Sequence, residues 1–291
     1  MGVAASAECV MEPRRIKNEQ RRAWEENAPG WRRHWGVREA LAPVTDALFE
    51  MAEIKEGQWV LDVATGIGEP ALSVARRVGP TGKVVGIDLA PRMIEYAGER
   101  ARAEGLKNAS FHVLDAEELL DWPEASYDAA LCRFGLVYLP ELARALRGIH
   151  HVLTPRAPFA SAVWAAPERV PFIQLAKETI HRVTGLPGPA PGMPHAFALA
   201  ERGRLEQALS SAGFEQIRGE RVTVVIELAS AAEYVDVMRE TTRLGALVDD
   251  KAPEKRDEAW AALAAAASAF ADATGKISFP CDATCVVGHR G

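Results

Sequence analysis

Cysteine is scarce in this sequence, and the few cysteines are far apart. There are four in 291 residues, at Cys9, Cys132, Cys281 and Cys285. That number is too small for a disulfide framework in a chain of this length, so reduced thiols are expected. Cys281 and Cys285 have no companion His or Cys pair at metal-ligand spacing, and Cys285 begins the strand-like run CVV. No metal site is therefore predicted.

Long apolar runs are also missing. No stretch approaches the roughly 18–20 uncharged apolar residues that a membrane-spanning helix needs. The first residues, MGVAASAECVMEPRR, lack the continuous apolar core of a secretory signal. A cytoplasmic protein without a membrane span is expected.

An excess of basic charge is absent as well. The 34 Lys and Arg are outnumbered by 40 Asp and Glu, which leaves a net charge of -6. A protein that grips nucleic acid through its phosphates needs a basic face, so no nucleic-acid partner is expected. The basic segment from Arg14 to Arg33 is interrupted by Glu19, Glu25 and Glu26, which is typical of a solvated helix face.

What the sequence does have is a regular alternation of two patterns. Short apolar or β-branched runs alternate with helical patterns, as in an α/β protein with a doubly wound parallel sheet and helices on both faces. Strands are predicted at 59–64, 84–88, 110–115, 127–134 and 159–164, and helices at 70–78, 91–104 and 140–152. The last strand, from Ile277, is predicted to return antiparallel.

Beyond about residue 165 the alternation breaks down. A strand is predicted at 221–228, and helices at 169–183, 230–243 and 256–273 exceed what the sheet needs, so they are candidates for a cap over the active site. The Pro/Gly-rich loop at 185–198 has a length that favours a functional or mobile segment. The expected organisation is an N-terminal helical lid at 1–50, a ligand-binding core at 51–165, and the rest of the sheet with an inserted helical substrate cap at 166–291.

The most informative segment is VLDVATGIGEPA, residues 60–71. A strand ends at Asp62, the glycine turn lets a ligand approach the backbone, and Pro70 suits the first turn of the next helix. The segment can be interpreted as G-x-G-x-x-A followed by acidic Asp88 about 20 residues later, which is a dinucleotide fingerprint. An NAD-binding dehydrogenase is therefore one alternative.

The charges favour a different ligand. A pyrophosphate at the helix N-terminus would meet like charges at Asp62 and Glu69. S-adenosylmethionine instead carries a sulfonium and an α-ammonium, for which the Asp62 carboxylate is the complementary group. Asp88, at the end of the next strand, is then placed to accept hydrogen bonds from both ribose hydroxyls.

With this set of acids and glycines, residues 20–165 resemble the class I S-adenosylmethionine-dependent methyltransferases, in the small-molecule branch that includes the quinone and menaquinone C-methyltransferases. The resemblance implies a Rossmann-like sheet of seven strands with the last strand antiparallel, and S-adenosyl-L-methionine as the cofactor. The residues assigned to the cofactor are Trp31, Asp62, Ala64, Thr65, Gly66, Gly68, Asp88, Leu89, Met93, Asp115, Ala116, Arg133 and Phe134. Within that set, the resemblance places Met93 against the adenine, the Asp115 carboxylate at the adenine amino group, and Arg133 with Phe134 on the methionine side.

The sequence departs from the family pattern in three respects. The usual Pro-Gly-Gly turn before the fifth strand is replaced by PRAP at 155–158, a change expected to leave the site intact. The fourth motif lacks the Asn-Pro-Pro-Tyr pattern of enzymes that methylate base amino groups, which removes that subclass. Residues 165–275 carry no family motif that identifies a substrate.

The segment from Trp24 to Trp35 looks like the family's first helix, which folds over the cofactor. In one interpretation, Trp31 or Trp35 shields the methionine end and His34 faces the substrate. In the other, this is an amphipathic helix that packs its tryptophans on the core. Both interpretations stay open at this point.

The predicted reaction needs little acid–base machinery. Methyl transfer is an in-line displacement at an activated carbon, so the main task is to hold the acceptor close with water excluded. A base is needed only for a protonated hydroxyl or amine, and the catalytic candidates are His34, Tyr138 and His195. The apolar helices after residue 165 predict a small, largely apolar or aromatic acceptor that is methylated on O, N or C. The alternative from another functional class is a cofactor-binding domain that serves as a scaffold or catalyses another reaction, and a homodimer is also left open.

Overall fold

The computed structural model describes residues 13–34 and 36–291. Cys9 and Trp35 lie outside these residues, so what the sequence predicts for them stays a prediction. The other three cysteines, Cys132, Cys281 and Cys285, are free and buried. Within the described ranges, no helix is both long and apolar enough to cross a membrane.

Seven strands form one sheet. They are β1 (Trp59–Val63), β2 (Lys83–Asp88), β3 (Ala109–Val113), β4 (Ala129–Arg133), β5 (Pro158–Trp164), β6 (Phe214–Leu228) and β7 (Ile277–Arg290). Their order is β3-β2-β1-β4-β5-β7-β6; the first five pair in parallel, and β7 runs antiparallel to both of its neighbours, β5 and β6. The predicted doubly wound, mostly parallel sheet with an antiparallel last strand is confirmed. Its strand order reverses between β1 and β4, the topological switch point where open α/β sheets bind ligands.

Helices cover both faces of this sheet. They are α1 (Pro13–Arg33), α2 (Gly36–Glu39), α3 (Ala42–Met51), α4 (Ala71–Val78), α5 (Pro91–Ala103), α6 (Leu142–Val152), α7 (Pro171–Thr184), α8 (Arg204–Ser211), α9 (Ala231–Thr241), α10 (Arg243–Lys251) and α11 (Arg256–Ser268). Successive strand residues point to opposite faces, so the core divides in two. Leu131 and Ala160 lie in the cluster that includes α3, α7 and α9, whereas Cys132 and Phe159 lie in the cluster that includes α6 and α8.

The strand before the last is longer than the sequence suggests. Polar residues such as Arg218 and Glu220 interrupt the apolar alternation, so only 221–228 is predicted, but β6 spans 15 residues. It lies at the edge of the sheet and pairs with β7 over its whole length, with a register shift between Glu215 and Arg218. Because one side of this edge strand has no neighbouring strand, polar side chains are tolerated in β6. The pairing partner, which is distant in sequence, determines the length.

The helices after residue 165 pack on the sheet and on one another. α7 packs on β7, and α11 packs on α7 and α9. Phe172, Tyr234 and Phe279 form an aromatic cluster there, with ring centroids 5.0–5.8 Å apart. α9 and α10 also contact α1. The assignment of helices after residue 165 to a substrate cap stays a prediction.

The altered turn before β5 lies at the opposite edge from the ligand crevice. Arg156 has a φ of 65°, the left-handed conformation that glycine adopts most easily, and its N–H donates to Arg290 O at 2.9 Å. A side chain in this conformation costs roughly 1–2 kcal/mol. The departure from the family's Pro-Gly-Gly turn thus has a local cost and does not change the site.

Candidate functional site

A glycine-containing loop links β1 to α4 at the switch point. Ala64, Gly66 and Gly68 have φ values of 56°, 56° and 102°, which turn the chain sharply between the strand and the helix. Thr65 N donates to Ile87 O at 2.9 Å, which fixes the loop against β2. A Cβ on Gly68 would lie 3.0 Å from the Leu72 side chain, so a residue without a side chain lets the loop pack closely on α4.

Asp88 holds the loop and faces the crevice beside it. Its Oδ2 accepts from Gly66 N at 2.9 Å and its Oδ1 accepts from Ala90 N at 3.0 Å. A carboxylate has about four acceptor positions, and two of them accept from these backbone donors. Asp88 is only partly buried. The position fits the predicted role of accepting hydrogen bonds from two neighbouring hydroxyls.

Asp115 stands just beyond the end of β3, one strand further from the switch point. Its Oδ1 accepts from Glu117 N at 2.9 Å and begins a short 3₁₀ helix in which Ala116 is buried. Its Oδ2 lies 2.5 Å from Nζ of Lys17 on α1. The role of this carboxylate at the adenine amino group stays a prediction, and the sequence analysis did not identify its cationic partner.

A buried apolar cluster, called the nucleoside slot below, lies at the same edge of the sheet. Ile67, Ala90 and Met93 are almost completely buried and pack with Ala28 of α1. Trp24, Trp31 and Tyr96 pack around this cluster. An adenine nucleoside requires apolar surroundings for its base, a carboxylate that accepts from the two ribose hydroxyls, and a second carboxylate at the rim that accepts from the amino group. The residues present therefore fit the adenosyl part of S-adenosylmethionine.

Two predicted charges are changed by their surroundings. Asp62 is fully buried, its Oδ2 accepts from Ala71 N at 2.9 Å, and burial raises the pKa of this carboxyl to about 7. Glu69 is 10% exposed, and its Oε1 lies 3.7 Å from Arg100 and 3.9 Å from Arg76. The expected pair of uncompensated anions beside the turn is therefore corrected. The exclusion of a pyrophosphate does not follow from these two acids, and a direct contact between Asp62 and the methionine part stays a prediction.

Arg133 connects the crevice to a helix far away in sequence. Its guanidinium donates to Thr45 Oγ1 of α3 at 2.7 Å and lies 3.4 Å from Glu69 O in the loop. Burial lowers the pKa of this guanidinium. Phe134, with a φ of 63°, follows it and stacks on Trp164 at a centroid distance of 4.2 Å. Arg133 and Phe134 thus lie at the end of β4, next to Trp164 at the end of β5. Their place on the methionine side of the crevice stays a prediction.

The three catalytic candidates lie in different environments. Tyr138 follows β4, its ring meets Trp24 edge-on at 4.9 Å, and burial raises the pKa of its hydroxyl to about 12. At neutral pH this hydroxyl is a donor and not a base. Arg243, at the start of α10, partly offsets the rise in pKa.

His34 and His195 are held by different partners. His34 Nε2 is 3.1 Å from Glu240 Oε2 on α9, and its side chain is 11% exposed. His195 Nδ1 accepts from Phe197 N at 3.2 Å, and burial together with the charge of Lys177 lowers the pKa of this imidazole. The described interactions of His195 are within its own loop and with α7, whereas His34 lies in the α1–α9 contact that covers the crevice. Their catalytic roles stay predictions.

Sequence reasoning anticipated a helix over the cofactor with Trp31, but it missed Lys17 on α1 and Glu240 on α9. Lys17, Trp24 and Trp31 recur at seven-residue spacing, which places them on one helix face. That spacing could have indicated a shared face, but Asp115, the partner of Lys17, and Glu240, the partner of His34, are about 100 and 200 residues away in the chain. Residue patterns within one helix contain no information about such distant contacts.

Comparison with known proteins gives one family. The profile of a family described as "Methyltransferase domain" matches residues 54–184. Aklanonic acid methyltransferase DauC from Streptomyces sp. (strain C5) is 35% identical over 147 residues, which cover 47% of this chain and 66% of that protein. Demethylmenaquinone methyltransferase from Deinococcus radiodurans is 32% identical over 165 residues, 53% of this chain and 67% of that protein.

The fold also matches solved structures. The crystal structure of the [4+2]-cyclase SpnF superimposes with a TM-score of 0.51 at 24% identity, over 84% of this chain and 79% of that one. Among the curated relatives compared, the matched segment spans between 41% and 67% of the relative's length. The alignments therefore establish the family through its cofactor-binding part. They do not identify the acceptor.

Proposed function

Because the chain belongs to the S-adenosylmethionine-dependent methyltransferases, we propose that it transfers the methyl group of S-adenosyl-L-methionine to a small, largely apolar or aromatic acceptor. The observation that carries this proposal is the nucleoside slot between Asp88 and Asp115, which continues into aromatic side chains at the ends of β4 and β5. The first part suits an adenosyl group. The second part is where the acceptor would meet the methyl group.

The acceptor side is aromatic. Phe134 stacks on Trp164 at 4.2 Å with an interplanar angle of 18°, and Trp24 meets Tyr138 edge-on. Flat aromatic walls favour flat or apolar ligands, since such contacts bury large apolar areas. The two relatives are named for aklanonic acid and demethylmenaquinone. These names support an acceptor with a ring system, and the atom that receives the methyl group is left open between O, N and C.

The residues of this chain mainly orient the reactants and exclude water. When bound, S-adenosylmethionine supplies an electrophilic methyl carbon on its sulfonium. Asp88 orients the ribose, and α1 covers the slot with Trp24 and Trp31, so that an acceptor is held close and in line. For an acceptor with a protonated hydroxyl or amine, His34 is the first base to test, because Glu240 fixes the orientation of its ring.

The proposal predicts methyl transfer in a screen with labelled S-adenosylmethionine against phenols, quinones, amines and carboxylates. We expect label in aromatic or apolar acceptors. Asp88→Ala tests the cofactor contact, and it should weaken binding of S-adenosylhomocysteine by roughly 1.5–3 kcal/mol, because a charged acceptor is lost. Titration calorimetry with S-adenosylhomocysteine and with NAD measures the binding. Tight binding of NAD alone would contradict the cofactor assignment and favour the dehydrogenase alternative.

A second candidate function is a reaction other than methyl transfer on the same fold, or a scaffold. A structural neighbour named as a [4+2]-cyclase has this fold, and a fold does not define the reaction. Binding of S-adenosylhomocysteine without label transfer to any acceptor class would favour this candidate. The cytoplasmic location, the absence of a nucleic-acid partner and a homodimer stay predictions.

A further inference from the structure

The N-terminal helix contributes a cation to the rim of the nucleoside slot. Nζ of Lys17 on α1 lies 2.5 Å from Asp115 Oδ2 and 2.6 Å from Glu117 Oε2. The two carboxylates are nearly inaccessible, at 9% and 1% exposure, whereas the Lys17 side chain is 22% exposed. One ammonium thus bridges two acids, and one of these acids is the carboxylate expected at the adenine amino group.

Among the described residues, Lys17 supplies the cation for both acids, and their other contacts involve backbone groups. Glu117 Oε1 accepts from Glu141 N at 2.8 Å, and Arg144 Nε donates to the backbone Glu117 O at 2.7 Å. The remaining bond to Asp115 is from Glu117 N. Two neighbouring buried carboxylates that lose their cation repel each other.

We propose that Lys17 is a positioning residue of the cofactor site, which orients Asp115 as the acceptor for the exocyclic amino group of adenine. The proposal rests on the proposed function, since it assumes that the slot binds S-adenosylmethionine. An ionised carboxylate has more acceptor positions than the two that Lys17 and Glu117 N occupy. Because Lys17 belongs to α1, the adenine subsite is complete only while α1 lies over the slot.

Two further observations support this role. Burial alone would lower the pKa of Lys17, but hydrogen bonds to Asp115 and Glu117 raise it above its ordinary value, so the bridging cation is stably charged. Gln20 lies on the same face of α1, between Lys17 and Trp24, and is 2% exposed. Neither atom of its side-chain amide has a hydrogen-bond partner in the described part of the chain. A buried amide without a partner costs about 1–3 kcal/mol, a cost that a polar ligand under α1 would relieve.

The test is titration calorimetry of the full chain with S-adenosylhomocysteine. Lys17→Met removes the charge and keeps the side-chain length, and it should weaken binding about 10-fold or more. Lys17→Arg retains a cation and should stay within a few-fold of the unchanged protein. The control is Arg22→Met, because Arg22 lies on the same helix but pairs with exposed Glu26 at 2.8 Å. It should change the affinity by less than about two-fold.

A double variant separates charge from packing. Glu117→Gln combined with Lys17→Met removes the repulsion between the two carboxylates, so it should recover a large part of the lost affinity. A role limited to packing does not predict this rescue.

The outcomes distinguish the two proposals. If the unchanged protein does not bind S-adenosylhomocysteine, the cofactor assignment itself fails. If the unchanged protein binds but Lys17→Met binds equally well, the role of Lys17 is overturned. Tighter binding by Lys17→Met would show that the ammonium competes with adenine, which also overturns it. Loss of affinity without rescue by Glu117→Gln would reduce Lys17 to a packing residue.

Discussion

At the scale of single residues, Asp62 shows how the fold changes a charge. This carboxyl is fully buried, and burial raises its pKa to about 7, although the hydrogen bond from Ala71 N and the charge of Arg133 act in the opposite direction. A buried acid with a raised pKa holds its proton more tightly in the folded state than in the unfolded state. The folded protein therefore gains stability from this group at low pH.

The pH dependence of stability should report this residue. The contribution of Asp62 is fully present below the unfolded pKa of about 3.9 and is lost as the pH rises through about 7, above which it levels off. Asp62→Asn retains an acceptor for Ala71 N and does not titrate. Relative to this variant, the unchanged protein should lose a few kcal/mol of unfolding free energy between about pH 4 and about pH 7. Urea unfolding at several pH values measures the difference, and parallel curves for the two proteins would contradict the raised pKa.

Site residues at the ends of strands could be predicted from the sequence. Asp88 ends β2 and Asp115 follows β3, both visible as short apolar runs, and the carboxyl ends of neighbouring parallel strands meet at one edge. The compensation of Glu69 could not be predicted, because Arg76 and Arg100 belong to two separate helices that meet only in the folded chain. Local patterns thus located the acids, and only tertiary contacts show which cations compensate them.

At the scale of elements, the cover of the slot depends on how closely α1 approaches α9. A Cβ on Gly30 of α1 would overlap with the backbone oxygen of Glu240 on α9, so the two helices touch through their backbones at this point. The ion pair of Arg33 with the Glu240 carboxylate, at 2.6 Å, and the contact of His34 Nε2 with the same carboxylate, at 3.1 Å, lie next to this point. The arrangement needs glycine at position 30, although glycine is a poor helix former.

Gly30→Ala should therefore separate the two helices. Alanine favours an isolated helix by about 1 kcal/mol over glycine, but the overlap should cost roughly 1–3 kcal/mol and move α1 away from the slot. We expect a lower melting temperature and weaker binding of S-adenosylhomocysteine. Gly36→Ala is the matched control, since a Cβ there meets nothing within 4 Å. Equal behaviour of the two variants would show that the contact between α1 and α9 does not hold the cover in place.

At the scale of the whole molecule, the sequence predicted the sheet better than the packing of the helices after residue 165. The central strands β1, β4 and β5 are buried on both sides, so their apolar runs are distinct. Apolar runs alone do not define which strands are neighbours. α7 packs on β7, whose place in the sheet no local pattern defines, and α11 packs on α7 and α9. An apolar helix face shows that it packs against another part of the protein, and it does not show which part.

Helix α1 covers the nucleoside slot and contacts α9 and α10. The segment 185–198, which has no helix or strand, follows α7 in the chain. A methyl transfer that excludes water needs such parts to be ordered when both substrates are present. The hydrogen bond of about 2.9 Å from His181 Nδ1 to Leu186 O holds the start of this segment, and His195 lies near its other end. The two ends are therefore anchored, and the residues between them are free to respond to an acceptor.

Hydrogen exchange should show two steps of ordering. S-adenosylhomocysteine alone should protect the glycine loop around Gly66, the backbone next to Asp88 and helix α1, because these groups surround the nucleoside slot. Addition of an acceptor found in the methyl-transfer screen should then protect residues 185–198. Protection of the loop and of Asp88 without any change in α1 or in 185–198 would mean that the acceptor site is open and shallow, with no moving cover. The Gly30→Ala variant should lose the first step in α1 and keep the protection at Gly66, since the variant disturbs the cover and not the loop.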